Sequence, residues 1–187
     1  MIAEFRGCVY AVNPKAKEIL GVPCYPSVSE IPDEVDLAVI VLPAPIVPRI
    51  VEECGRKGVR AVVVISGGFA EAGNPDLQQQ LVETARHYGV RVIGPNCIGV
   101  FDGHTRVCSF FQPRERCLRP PPGKVAYITQ SGTFGLTVLE WFAESGVGVS
   151  RFASFGNAAD VTEADLIEWF AEDPQTEIVA AYLEGVS

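Results

Sequence analysis

The sequence contains no run approaching the roughly 20 consecutive apolar residues that a membrane-spanning helix requires. Its first residues, Met1 to Gly7, lack the basic, apolar and small-residue zones of a signal peptide. Basic residues are short in number, 15 Lys and Arg against 23 Asp and Glu, for a formal net charge of −8. Such a chain repels phosphate backbones, so it is not expected to bind nucleic acid. The longest basic cluster, Arg114 to Arg119, is interrupted by Glu115 and runs into three prolines, and it reads as a solvated loop. There are only two histidines, and neither belongs to a spaced His/Cys/carboxylate set, so no metal site is expected. His87 reads as a solvent-facing residue late in a helix and His104 as part of a polar turn. The six cysteines form no C-x-x-C pair. They read as small apolar side chains of a reduced, cytoplasmic protein, with a disulfide or zinc framework as the alternative. No G-x-G-x-x-G follows a first strand, which argues against an NAD-dependent oxidoreductase, and there is no Walker A lysine and no G-x-S-x-G elbow.

What is present is ordinary globular composition, 48% hydrophobic and 20% charged over 187 residues, which excludes disorder and fibrous classes. Apolar β-branched runs recur at 9–12, 37–42, 61–65, 90–93, 125–129, 149–153 and 178–183. They do not alternate with polar residues, which suits strands buried on both faces of a parallel sheet. Helical stripes lie between them: Ile46, Val47, Ile50, Val51 and Cys54; Leu77, Leu81, Ala85 and Tyr88; Leu166, Ile167 and Phe170, the last preceded by Thr162 as N-cap. This alternation makes the fold class α/β, with parallel sheets flanked by helices. Pro120, Pro121 and Pro122 break the pattern, since three prolines continue neither a helix nor a central strand. Four strands are expected before the break and three after it, in units spanning 1–119 and 120–187.

The chemistry is expected where strands end, because ligands of open α/β sheets bind beyond the carboxyl ends of strands. Three such ends are Asn13-Pro14-Lys15, Ile65-Ser66-Gly67-Gly68 and Gly94-Pro95-Asn96-Cys97. Each alone is a tight turn; together, with a lysine and an asparagine, they point to a phosphate-bearing ligand. After the break, the 125–129 strand runs through Gln130 into Ser131-Gly132-Thr133 and a helix pattern. Free N–H groups at such a start meet anions, although Ser131 also reads as an ordinary N-cap. Gly156 to Asp160 closes another strand and is also simple turn chemistry. Glu184, at the end of the last strand, reads either as an orienting carboxylate or as a solvated one.

Taken in order, these motifs resemble the α subunit or α region of ADP-forming acyl-CoA synthetases, the acetate–CoA ligases related to succinyl-CoA synthetase. The resemblance rests on Val12 to Lys15, Tyr25-Pro26-Ser27, Ser66 to Gly73, Gly94 to Gly99, Thr129 to Gly132 and Gly156 to Asp160. It implies a Rossmann-like CoA-binding domain followed by a partial flavodoxin-like ligase domain. CoA would be held by Asn13, Pro14, Lys15 and the Ile65–Gly68 turn, with Asn96 and Cys97 where thioester and acyl phosphate react. Phosphate would be held by Ser131, Gly132 and Thr133, and Glu184 would hydrogen-bond a phosphohistidine. The implied reaction converts acyl-CoA, ADP and phosphate into acid, CoA and ATP. ADP or ATP and Mg²⁺ would be bound by an ATP-grasp β subunit or domain acting as partner. Relative to the family, Met1 falls near the end of the first helix, so the first βα unit with its glycine loop is expected to be missing. The chain also stops before the family's phosphorylated histidine. Two expectations follow: that this chain alone does not turn over, and that it self-associates as a homo- or hetero-oligomer. A non-catalytic CoA-binding or interaction module is the alternative.

Overall fold

In the computed structural model, residues 5–113 and 116–185 are described. The chain begins with a small sheet of β1 (Ala11–Val12), β2 (Glu18–Ile19) and β3 (Val22–Tyr25), in which β3 runs parallel to β1 and antiparallel to β2. β4 (Leu37–Ile40), α1 (Val47–Lys57), β5 (Ala61–Val64), α2 (Pro75–Tyr88) and β6 (Arg91–Ile93) follow. Their strands form a parallel sheet in the order β4-β5-β6. The second large sheet uses β7 (Gly99–Asp102), β8 (Pro122–Thr129), β9 (Val149–Ser154) and β10 (Ile178–Tyr182), in the order β10-β8-β9-β7. Its crossovers are α3 (Gly132–Glu144) and α4 (Glu163–Glu172). The α/β class with parallel sheets flanked by helices is therefore what the chain adopts.

The packing follows from the apolar runs. Val62, Val63 and Val64 of β5 are fully buried, as a strand between two neighbours with both faces covered must be. In the second sheet the two faces divide by parity. Tyr127 and Phe152 turn toward Leu139 and Phe142 of α3, while Ala126, Ile128 and Ala153 turn toward Leu166 and Phe170 of α4. Burying one such large side chain contributes roughly 1.5–3 kcal/mol, so each face is a stabilising layer in its own right. Thr162 caps α4 as expected, and its hydroxyl and the Asp165 side chain close a reciprocal capping box. Among the described residues, no helix is long and apolar enough to cross a membrane.

Three features depart from the expected pattern. The first strand shrinks to Ala11–Val12, because its pairing reaches only Cys24 and Tyr25. The expected β8 grows backward to Pro122, a proline at the first strand position where its missing N–H costs no ladder bond, and the register slips before Val125. β7 has no counterpart among the expected strands. It pairs antiparallel with β9, Gly99 opposite Ser154 and Asp102 opposite Arg151, so a strand that precedes the proline break completes the sheet that follows it.

In the basic cluster Arg116 is exposed, as expected of a solvated loop, but Arg119 is not. Arg114 and Glu115 lie outside the described residues. Arg119 packs over the Phe110 ring at 4.6 Å and donates to Gln112 O at 2.9 Å and to the carbonyl of Cys117. The guanidinium thus ties Phe110, Gln112 and Cys117 together. All six cysteines are free; Cys8 is exposed, whereas Cys54, Cys97, Cys108 and Cys117 are buried.

Candidate active site

The carboxyl ends of β5, β6, β8 and β9 meet at one place. From β6 the chain turns through a cis Gly94–Pro95 bond, and Asn96 sits at φ 60°, a left-handed conformation that asparagine tolerates better than most residues. Asn96 N donates to Ser66 O at 2.9 Å, which fastens this turn to the end of β5. Asn157 N, beyond β9, donates to Pro95 O at 3.0 Å, and Ala159 N to Gly94 O at 3.1 Å. The approach is so close that a Cβ at Gly156 would lie 2.3 Å from the carbonyl oxygens of Pro95 and Asn96, which only glycine permits. On the remaining side Gly132 packs on Ile98, where an added Cβ would fall 2.6 Å from Ile98 Cγ1. The 66–68 and 156–157 turns therefore flank Asn96, and the start of α3 packs on the nearby Ile98.

The two residues of the Asn-Cys pair face different ways. Asn96 is exposed, and its side-chain Nδ2 donates to Asn157 Oδ1 at 3.3 Å. Cys97 is 4% exposed, and its thiol donates to Val64 O at 3.3 Å. Burial pushes that thiol up to about 12, so the nucleophilic thiolate is not populated at neutral pH. Cys97 thus packs beneath the turn, and Asn96 is the member of the pair that presents polar atoms to the cleft.

At the Ile65–Gly68 turn, two amides are engaged within the chain. The amides of Gly68 and Phe69 donate to Glu71 Oε1, at 2.5 Å and 3.2 Å, so a carboxylate of the chain itself fills this nest. The other oxygen of Glu71 accepts from Asn157 Nδ2, which also donates to Gln78 Oε1 at 2.9 Å. Burial opposes ionisation of Glu71, but the bonds from Asn157 and from the Gly68, Glu71 and Phe69 amides outweigh it and hold the carboxyl below its ordinary range. Ser66 Oγ is engaged in accepting from Leu42 N at 3.1 Å.

At α3, Ser131 is the N-cap, with Oγ accepting from Phe134 N at 3.3 Å. The amides of Gly132 and Thr133 in the first helical turn have no acceptor within the helix and face its amino end. Gln130 links this end to Glu184: its Oε1 accepts from Glu184 N and, at 3.1 Å, from Gly185 N. Glu184 itself is exposed. Asn13 Oδ1 closes a local turn by accepting from Lys15 N at 2.9 Å and Ala16 N at 3.1 Å, and Pro14 and Lys15 are exposed. Among the described residues, no hydrogen bond or ion pair joins this turn to the 65–68 turn. Glu71, Gln78 and Gln130 were not expected at the site. In the sequence Glu71 lies within the Ser66–Gly73 stretch, three residues after Gly68 and so within reach of the turn's amides.

Both histidines lie elsewhere. His104 follows β7, beside the starts of β8 and β9: its Nε2 is 3.1 Å from Gly123 O, and the neighbouring Gly103 N donates to Ser150 O. His87 is exposed in the last turn of α2, whose other end carries Gln78. An apolar cavity of about 350 Å³ lies between β7, β9 and α4, lined by Phe101, Phe152, Leu166 and Trp169, and contains none of these polar groups. Among the described residues, no group of three or more His, Cys, Asp or Glu side chains is placed to hold a metal ion.

Comparison with known proteins shows the family. Residues 2–102 match the family described as CoA binding domain, which is more than half of the chain. The chain belongs to that CoA-binding family. Residues 122–187 match a second family, the succinyl-CoA ligase like flavodoxin domain. An Archaeoglobus fulgidus protein, acetate–CoA ligase [ADP-forming] I, is 49% identical over 187 residues, covering 99% of this chain and 27% of the relative. The α subunit of the Pyrococcus furiosus acetate–CoA ligase [ADP-forming] I is 45% identical, covering 97% of this chain and 40% of the relative. Among solved structures, the dinucleotide forming acetyl-coenzyme A synthetase 1 of Ca. Korarchaeum cryptofilum, in complex with phosphate and ADP, superimposes with a TM-score of 0.91 at 41% identity. That match covers 98% of this chain and 39% of the other. The chain thus spans between about a quarter and two fifths of the length of these relatives.

Proposed function

We propose that this chain is the acyl-CoA-handling part of an ADP-forming acyl-CoA synthetase. The observation that carries the reading is the exposed Asn96 of the 94–97 turn, flanked by the 66–68 and 156–157 turns, with the 131–133 turn packed on the nearby Ile98. In the reaction, a phosphate oxygen attacks the thioester carbonyl carbon, the C–S bond breaks, and CoA leaves as a thiolate that takes up a proton. The product is an acyl phosphate, whose phosphoryl group passes to a histidine nitrogen as the O–P bond breaks and the carboxylate leaves, and then to ADP, which becomes ATP as the histidine is freed. Asn96 Nδ2 donates one hydrogen to Asn157, and its second hydrogen is available to the oxygen on which negative charge develops. The first-turn amides of Gly132 and Thr133, beside Ser131, hold the incoming phosphate at the amino end of α3. Lys15 with Asn13 and Pro14, and the Ile65–Gly68 turn, line the path of the CoA moiety. Cys97 supports the turn from below, and Glu184, held beside Gln130, faces the phosphoryl-transfer side.

Neither His87 nor His104 reaches this cleft, so in this reading the phosphoryl-carrying histidine comes from outside these residues. ADP and Mg²⁺ belong to an ATP-grasp partner. The decisive assay combines the chain, joined to the segment that supplies the histidine, with an ATP-grasp partner, acetyl-CoA, ADP, phosphate and Mg²⁺. ATP formation that depends on both proteins is the expected result, with Asn96→Ala lowering kcat about 10²-fold, the usual cost of one lost oxyanion donor. Saturable CoA binding without any ATP formation would make the chain a binding module instead.

A further inference from the structure

Asn157 is placed to decide which way the Asn96 carboxamide points. A carboxylate only accepts hydrogen bonds, so the Asn157 atom that faces Glu71 Oε2 has to be the nitrogen. Gln78 Oε1, 2.9 Å from the same nitrogen, agrees with that orientation. Asn157 Oδ1 is thereby turned toward Asn96, and Asn96 has to present its nitrogen to it, as the 3.3 Å contact shows. The other oxygen of Glu71 is held by the Gly68 and Phe69 amides, which keeps the carboxylate from turning away. A one-way chain of donors and acceptors therefore runs from the 68–71 turn, across the gap between the two large sheets, to Asn96.

We propose that Glu71 and Asn157 are positioning residues that set the orientation of the Asn96 carboxamide, so that its N–H rather than its oxygen meets the substrate. This rests on the reading of Asn96 as the group facing the thioester. Replacing Glu71 by glutamine keeps one carbonyl oxygen for the Gly68 and Phe69 amides and places an NH₂ group against Asn157 Nδ2. Asn157 must then turn over, and Asn96 after it, which puts the Asn96 oxygen where a donor is needed. The double variant E71Q/N157D restores the order, because a carboxylate at 157 accepts from both the new carboxamide and Asn96 Nδ2.

The test uses E71Q, N157D and the double variant in two measurements. In the protein joined to the histidine-bearing segment and assembled with its ATP-grasp partner, E71Q lowers kcat about 10²-fold with KM for acetyl-CoA within threefold, and the double variant recovers most of the loss. In ¹H–¹⁵N correlation spectra of the chain, E71Q moves the Asn96 side-chain amide pair, and the double variant returns it. An Asn96 signal unmoved by E71Q overturns the proposal, as does a displaced signal that the double variant fails to return. An assembly of wild-type proteins that forms no ATP defeats the functional reading, while the Asn96 signal still decides the positioning claim.

Discussion

Asn96 and Cys97 are neighbours in sequence whose side chains meet opposite surroundings, and the difference has a chemical consequence. With its thiol pushed up to about 12 by burial, Cys97 is ionised at pH 8 to only about one part in ten thousand. An alkylating reagent at that pH should label the exposed Cys8 and leave Cys97 untouched until the chain unfolds, which mass spectrometry of the labelled peptides reads directly. Carboxylates give a second prediction. Glu71 is held below its ordinary value of 4.5 and Asp165 below 3.8. For Asp165 the largest cause is the Thr162 amide, followed by the Thr162 hydroxyl. A depressed folded value means that the stabilisation is present at neutral pH and is lost as the pH falls through the folded values. Thermal unfolding should therefore be insensitive to these groups at pH 6–8 and weaken in acid below their ordinary values. The acid loss should shrink in E71Q and in Asp165→Asn.

Among the elements, α4 and the β8–β9 pair offer separate tests. Thr162→Ala removes the hydroxyl half of the capping box and should cost about 1 kcal/mol in denaturant unfolding. Where β8 and β9 begin, Gly123 and Gly148 pass backbone against backbone. A Cβ on Gly148 would lie 2.6 Å from Gly123 Cα, so Gly148→Ala should open the strand pair and cost more than a surface change, readable as a lowered midpoint with preserved helix signal. The long strands and all four helices stood out in the sequence because their apolar periodicity is local. β7 did not, since Gly99-Val100-Phe101-Asp102 is short and owes its strand form to pairing with β9 fifty residues later. The same holds at the site. Glycine, proline and asparagine turns announce themselves by type. The bond from Asn157 to Glu71, by contrast, joins residues 86 apart and leaves no sequence pattern.

At the scale of the whole molecule, the two large sheets are fastened along one seam. Asp160 accepts from Arg91 Nε at 2.9 Å and from Val92 N at 2.8 Å, and Val161 N donates to Val92 O at 3.1 Å. Asp160→Ala leaves the amide of the buried Val92 without its side-chain acceptor and should reduce stability by about 1–3 kcal/mol, with the two halves losing protection unequally in hydrogen exchange. The seam lies directly beneath the Asn96 cleft, so the geometry of the site depends on both sheets at once. The proposed site thus lies where the two sheets meet, not within either one. It is tested most directly by titrating the ¹⁵N-labelled chain with acetyl-CoA and following its backbone and side-chain amide signals. The account predicts saturable shifts at Gly67, Gly68, Asn96, Gly132 and Asn157 together. An unshifted spectrum, or shifts confined to the apolar cavity beside Trp169, would contradict it.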